Sequence, residues 1–355
     1  MIRGCNNING WLSILREGIW NSLPVVYAGA VPGTTMRAVM SSISGKLSAK
    51  LQRLSALAML MLAEAISADS SGPSLAGYYD DFMAICNGNA YEWSDTDEPR
   101  KSITGVTQVG VGRNNRYGLT LDGRLLAWRS DPAQTELMMD GVKSFHAGRS
   151  GLLVILNDDS LWLLQTKSLF GLGETLSAEP TPVATAVRSA AVGDSANYYI
   201  TRDGDLFVKG LAHRGQYGDG KLTTSETWQH TFSKAVQVSA HTGHALLLKQ
   251  NGGVWGTGGN IYGPLGHHGY GDKAINWGLI LDGVKAIATG SSHSLAIKAD
   301  NSLWIWGRNE GLEPRRVMSG VTAVAAGNSA TVALGRGYLW QWETGEQPRR
   351  IIQCE

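Results

Sequence analysis

A surplus of charge and a membrane-spanning apolar run are the first things this chain lacks. It has 31 basic against 30 acidic side chains, a net +1, which leaves no basic surplus for gripping a nucleic-acid backbone. No apolar run is long enough to span a bilayer, so no membrane span is expected. Helix-favouring periodicity is scarce after residue 70. There is no G-x-S-x-G, no Walker loop, no Cys-His pair and no spaced carboxylate motif, so neither a hydrolase nor a nucleotide-binding core is indicated, and no cofactor is expected. The chain is instead rich in glycine, with 45 residues, and in tryptophan, with 12. That composition, with short runs of β-formers between Gly, Asn and Asp turns, reads as all-β.

The stretch from Ile287 to Asn309 organises the rest. Ser294 to Lys298 alternates small or polar residues with Leu295 and Ile297, Asp300-Asn301 is a turn pair, and Leu303 to Trp306 is apolar on both faces. A strand of that kind must be covered on both sides by neighbouring sheets. Copies of the hairpin recur along the chain. The second turn residue is Gly88, Gly123, Asp159, Gly204, Gly252, Asn301 and Gly337, at spacings of 35, 36, 45, 48, 49 and 36 by subtraction. Bulky residues follow each turn, with Trp93, Trp128, Trp162, Trp255, Trp304, Trp306, Trp340 and Trp342 among them. Small residues precede most turns by about ten positions, at Gly77, Gly112, Gly148, Gly193, Gly290 and Gly327. Repeats of this length built from short strands predict a β-propeller of seven blades with an N-terminal extension.

Gly290 to Asn309, G-x-x-H-S-L-A-I, turn, L-W-x-W-G-x-N, resembles the regulator of chromosome condensation repeat family. Its glycine loop is matched by His213-Arg-Gly-Gln-Tyr-Gly-Asp-Gly220 and Gly259-Asn-Ile-Tyr-Gly-Pro-Leu-Gly266, and reduced to Phe170-Gly-Leu-Gly173 in the third repeat. The resemblance runs from about Gly77 to the C-terminus and is most specific in repeats four to six. It implies a seven-bladed propeller acting as a rigid scaffold whose loops bind other proteins. Family members include exchange factors for a small GTPase, and exported bacterial inhibitors or effectors. The exchange activity depends on a β-wedge insertion, and no repeat here carries an obvious candidate. The expected function is therefore an exported, non-catalytic protein-binding propeller, a monomer with a protein partner. The alternatives are an intracellular guanine-nucleotide exchange factor or adaptor, and a cell-surface polysaccharide-acting enzyme.

Residues 1–39 carry no assignable role and are explained by a misassigned start. From Met40 the chain reads as an export signal over 40–68: Lys46, Lys50 and Arg53 form a basic region, Leu54 to Leu62 an apolar one, and Ala63-Glu-Ala65 or Ile66-Ser-Ala68 a cleavage site. An amphipathic N-terminal helix is the alternative. Residues 69–355 then form the propeller. The mature chain keeps Cys86 and Cys354, in its first repeat and at its end, which the ring brings into one neighbourhood as a disulfide or as two buried thiols. Ser74 to Ala76 fills the slot that Thr322 to Ala326 fills in the preceding repeat, so the N-terminal segment is expected to pair into the last blade as its inner strand.

Two surfaces stand out. The longest inter-hairpin segments, Leu211 to Lys234 and Gly258 to Asp282, hold Arg214, Tyr217, Trp228, His230, Tyr262, His267, His268, Tyr270 and Trp277. Aromatic, Arg and His side chains on loops are usual interface anchors, and about half of these are expected to pack beneath the loops instead. The other surface is a recurring Pro-basic-basic element that places Arg100, Lys101, Arg315, Arg316, Arg349 and Arg350 on one sector, as a patch for an acidic partner or as solvated blade edges. His241-Thr-Gly-His244 and His267-His268 are read as structural rather than as metal pairs.

Overall fold

All seven turn positions picked out by spacing adopt the left-handed backbone conformation, with φ from +63° at Asp159 and Asn301 to +92° at Gly204. That requirement explains why only Gly, Asn and Asp occupy them. The two non-glycine turns share a further device. Asp158 Oδ1 accepts from the backbone N of Ser160 at 2.9 Å, and Asp300 Oδ1 from that of Ser302 at 2.9 Å. Each serine hydroxyl then takes the indole N–H of Trp162 or Trp304, both at 2.9 Å.

The computed structural model describes residues 74–95, 97–149, 151–165, 179–267 and 271–354. The expected extension and export signal, Phe170 to Gly173, and His268 and Tyr270 lie outside them. The described residues form a seven-bladed β-propeller of seven four-stranded antiparallel sheets. The blades span 75–104, 106–139, 142–184, 187–232, 235–281, 284–318 and 321–353. Their first strands, among them Leu75–Tyr78, Val284–Thr289 and Val321–Ala326, line an axial channel of about 220 Å³.

Every sheet is cut from consecutive strands. The expected closure is therefore corrected. Leu75–Tyr78 is the inner strand of its own first blade, with Gly77 opposite Phe82, and the last blade takes its inner strand from Val321–Ala326, with Ala323 opposite Leu334. The sequence repeat is offset by one strand from the blade, because each outer strand, such as Gly311–Met318, leads directly into the next blade's inner strand. The two segments are equivalent, as the spacing indicated, but equivalence does not make them partners.

Packing closes the ring instead. Seven buried clusters occupy the seven contacts between neighbouring blades. The seam between last and first blades packs Leu75, Phe82 and Trp93 against Ala330, Val332 and Leu339. There Trp93 Nε1 donates to Gln341 Oε1 at 3.0 Å, and a disulfide joins Cys86 to Cys354 with a Cα separation of 5.3 Å. The backbones approach too closely for a side chain: a Cβ on Gly77 would lie 2.8 Å from Ala326 O.

The eight tryptophans divide by strand register. Trp93, Trp128, Trp306 and Trp342 are buried between blades, whereas Trp162, Trp255, Trp304 and Trp340 are half-buried. Trp128 Nε1 donates to Glu92 at 3.1 Å and Trp306 Nε1 to Pro264 O at 2.8 Å, each reaching back to the preceding blade. The histidines reach forward. His244 Nε2 meets Ser294 Oγ at 3.0 Å and His293 Nε2 meets Thr331 Oγ1 at 3.0 Å. Burial, reinforced by neighbouring imidazoles, lowers both pKa values to about 3.

Candidate interaction face

In a four-stranded meander the turn between strands one and two and the loop between strands three and four emerge on the same face. On this upper face the glycine loops of blades four and five have one conformation. Gly215 and Gly263, with φ of +86° and +76°, and Gly218 and Gly266, at +67° and +63°, bend each loop inward. Tyr217 and Leu265 fill the same slot beneath it, both essentially inaccessible. Tyr217 Oη donates to Gly210 O at 2.8 Å, and Asn260 Oδ1 accepts from Leu265 N at 2.9 Å. With the loop pinned by that anchor, its tip is turned to solvent: His213 and Arg214 in blade four, Ile261 and Tyr262 in blade five.

The loop residues expected to bind a partner are thereby sorted. Tyr217, 1% exposed, and Trp277, 8% exposed, are core. This corrects the expectation for both, because Trp277 Nε1 donates to Tyr217 O at 3.1 Å and the two rings close the contact between blades four and five. Trp228 is half-buried on the outer strand Ser225–Phe232, edge-on to Tyr199 with centroids 4.8 Å apart. Arg214, Tyr262 and His267 remain exposed, and His267 pairs with Glu313. Tyr262 and His267 gather at one place, and Arg214 lies beside them across the shared ridge.

The residues that complete this place were missed. Ile261 is 62% exposed, Tyr262 51% and Leu312 48%, and the guanidinium of Arg308 lies 5.0 Å from the Tyr262 ring centroid. Ile261 and Tyr262 form a ridge between two hollows. The outer hollow, about 630 Å³, is lined by Arg308, Asn309 and Leu312. The inner one, about 240 Å³, is lined by Arg214, Thr242, Ser291, Ser292 and Tyr79. A signal existed for Ile261: it sits at a glycine-loop tip, where no neighbouring strand is available to cover it.

Nearer the axis, Asp194 of blade four receives two hydroxyls from blade one, Tyr78 Oη and Tyr79 Oη, each at 2.9 Å. His241 stacks on Tyr78 with centroids 5.6 Å apart, and burial lowers its pKa to about 4 despite the Asp194 carboxylate. This bridge spans the upper mouth of the channel.

The basic sector falls in register. Arg100, Arg315 and Arg349 lie opposite Glu92, Ile305 and Gln341, and Lys101, Arg316 and Arg350 lie opposite Tyr91, Trp304 and Trp340. Arg100 pairs with the buried Glu92 at 2.8 Å, and Arg315 with the buried Glu310. Arg350 lies 4.4 Å from the Tyr338 ring centroid. With Pro99, Pro314 and Pro348 beside them, these side chains blunt the open edges of outer strands.

A family model described as "Regulator of chromosome condensation (RCC1) repeat" matches residues 284–310. The secretion-regulating guanine nucleotide exchange factor of Mus musculus is 30% identical over 146 residues, 39% of this chain and 31% of that protein. The ultraviolet-B receptor UVR8 of Arabidopsis thaliana is 25% identical over 239 residues, 65% and 48% of the two chains. The chain thus spans less than half the length of these curated relatives. Among solved structures, Prp20p from Saccharomyces cerevisiae matches with a TM-score of 0.61 at 17% identity, covering 74% of this chain and 81% of that one. The ectodomain of the Arabidopsis thaliana receptor kinase ACR4 matches with a TM-score of 0.51 at 16% identity, covering 79% and 98%. These two likenesses concern the fold.

Proposed function

The chain belongs to the regulator of chromosome condensation repeat family, and on that footing we propose that it is an exported, non-catalytic propeller that binds a protein partner through its upper face. The observation carrying this reading is the Ile261–Tyr262 ridge with Leu312. Three large apolar side chains, each about half exposed or more, stand together on a face whose other loop aromatics are largely packed, and cations flank them. Apolar and aromatic groups rimmed by arginine are what protein interfaces concentrate. Export is supported by the basic, apolar and small-residue order of residues 46–68 and by the Cys86–Cys354 bond, since such bonds persist in oxidising compartments.

The direct experiment combines N-terminal sequencing of the product from its native cell with capture by the purified propeller. A mature chain starting between Ile66 and Asp69 is expected. Tyr262→Ala with Leu312→Ala is expected to weaken capture about tenfold or more, one anchor being worth ~2 kcal/mol. An unprocessed chain in the cytoplasm would remove the export half, and undiminished capture by the double variant would remove the site.

The second reading, an exchange factor for a small GTPase, is favoured by the name of the Mus musculus relative. Acceleration of nucleotide release from a GTPase of the same cell would establish it in place of the first.

A further inference from the structure

Resting on the protein-binding reading, we propose that the upper face reads a short extended segment of its partner, seating an Asp or Glu side chain on Arg214 and an apolar side chain against Leu312.

The floor beneath Arg214 is built from glycine. A Cβ on Gly243 would lie 3.3 Å from Arg214 Cδ, and a Cβ on Gly259 would lie 3.3 Å from the same atom. The arginine stem thus lies across two bare stretches of backbone in blade five, which directs its guanidinium to the inner hollow. Among the described residues no carboxylate forms an ion pair with it. Thr242 and Ser291 hydroxyls, 3.1 Å apart, line the same hollow. A planar, held guanidinium beside hydroxyls is complementary to a carboxylate, which it takes with two parallel hydrogen bonds.

The two hollows explain why a side chain within a segment fits better than a chain terminus. They share Ile261 and Tyr262 and open on either side of that ridge. An extended segment crossing the ridge places one side chain in each. The outer hollow offers Leu312, and Gly263 lets it in: a Cβ there would lie 2.3 Å from Leu312 Cδ2. Arg308, stacked on Tyr262, adds a second positive charge beside the ridge and favours an acidic segment over a neutral or basic one.

The test is a degenerate library of short synthetic peptides, acetylated and amidated so that every carboxylate is a side chain, selected on the immobilised propeller. Selection is expected to enrich Asp or Glu over Asn or Gln within a few residues of Leu, Ile, Met or Phe. The Kd of the best peptide is expected to rise about tenfold with Arg214→Gln, as for loss of a charge-assisted hydrogen bond. That sensitivity should vanish when the acidic residue of the peptide is replaced by its amide, while Leu312→Ala still weakens both peptides. No acidic enrichment, enrichment unaffected by Arg214→Gln, or binding only by peptides with a free C-terminus would overturn the proposal. If the library fails while Tyr262→Ala with Leu312→Ala still abolishes partner capture, the acidic-segment inference falls and the protein-binding reading stands. If both fail, the reading falls as well.

Discussion

Replacing Cys86 and Cys354 together by Ala probes ring closure most directly. The bond links residues 268 apart, and the chain-entropy relation for a loop that long gives roughly 5.6 kcal/mol at 25 °C as the most the cross-link can remove from the unfolded state. The seam does not depend on the bond alone. Leu75, Phe82 and Trp93 stay packed on Ala330, Val332 and Leu339, and Trp93 keeps its bond to Gln341. The double variant should therefore fold and melt lower. With an unfolding entropy near 2.1 cal/mol/K per residue over about 280 residues, 3–5 kcal/mol corresponds to a fall in Tm of roughly 5–9 °C. Scanning calorimetry of wild type and variant, each with and without reductant, is the assay. Reductant should bring wild type down to the variant and leave the variant unmoved. Hydrogen exchange should quicken first in Leu75–Tyr78 and Val321–Ala326. A variant melting within about 1 °C of wild type, or a wild type indifferent to reductant once the bond is shown to be cleaved, would refute the argument that the cross-link stabilises the closed ring.

Trp306→Ala should cost about 3–5 kcal/mol by urea denaturation, since the ring is 0% exposed and donates to Pro264 O; Trp304→Ala, half-buried under Lys298, should cost clearly less. Trp277→Ala should lower Tm and so reveal a core ring, in contrast to Tyr262→Ala, which should leave Tm nearly unchanged. Burial holds His146 and His241 near pKa 4, and His244 and His293 near 3, against 6.5 unfolded. The unfolded chain therefore binds more protons below pH 6.5, so stability is full above that pH and falls as pH drops toward 3, by up to about 1.4 kcal/mol per pH unit per histidine. Denaturant unfolding at pH 7 and pH 5 measures it, and His244→Asn with His293→Asn should flatten the slope, whatever it does to the midpoint.

The repeat was legible because backbone chirality leaves a mark at every turn. Seven positions needing positive φ accept few residue types, so their spacing survives even where the strands between them have diverged. Strand pairing across the ring was not legible, since equivalent segments carry equivalent patterns and the sequence does not say which neighbour a strand joins. Tyr217 was misjudged for a chemical reason. It looks like an interface residue, yet the glycine loop places it where Leu265 sits in the next repeat, and a phenol with two carbonyls in reach is content there. Trp277 lies on a long outer strand, Lys273–Leu281, whose alternation is broken by a register shift, so periodicity could not assign its side. Both faces of Leu303 to Trp306 were rightly read as covered: Leu303 and Ile305 pack on the following blade, while on the other face Trp306 packs on the preceding blade and Trp304 is half-buried under a lysine.

Sheets cut from uninterrupted stretches of chain also bear on how such a gene can change. Duplication or loss of one repeat adds or removes a whole blade and divides no sheet, so ring size alters in unit steps. What marks closure is covalent: a thiol on the first blade and one after the last meet wherever those two blades become neighbours, whatever the number between them. An oxidative folding pathway would then lock a ring of any size, so that a gain or loss of one blade leaves the staple in place.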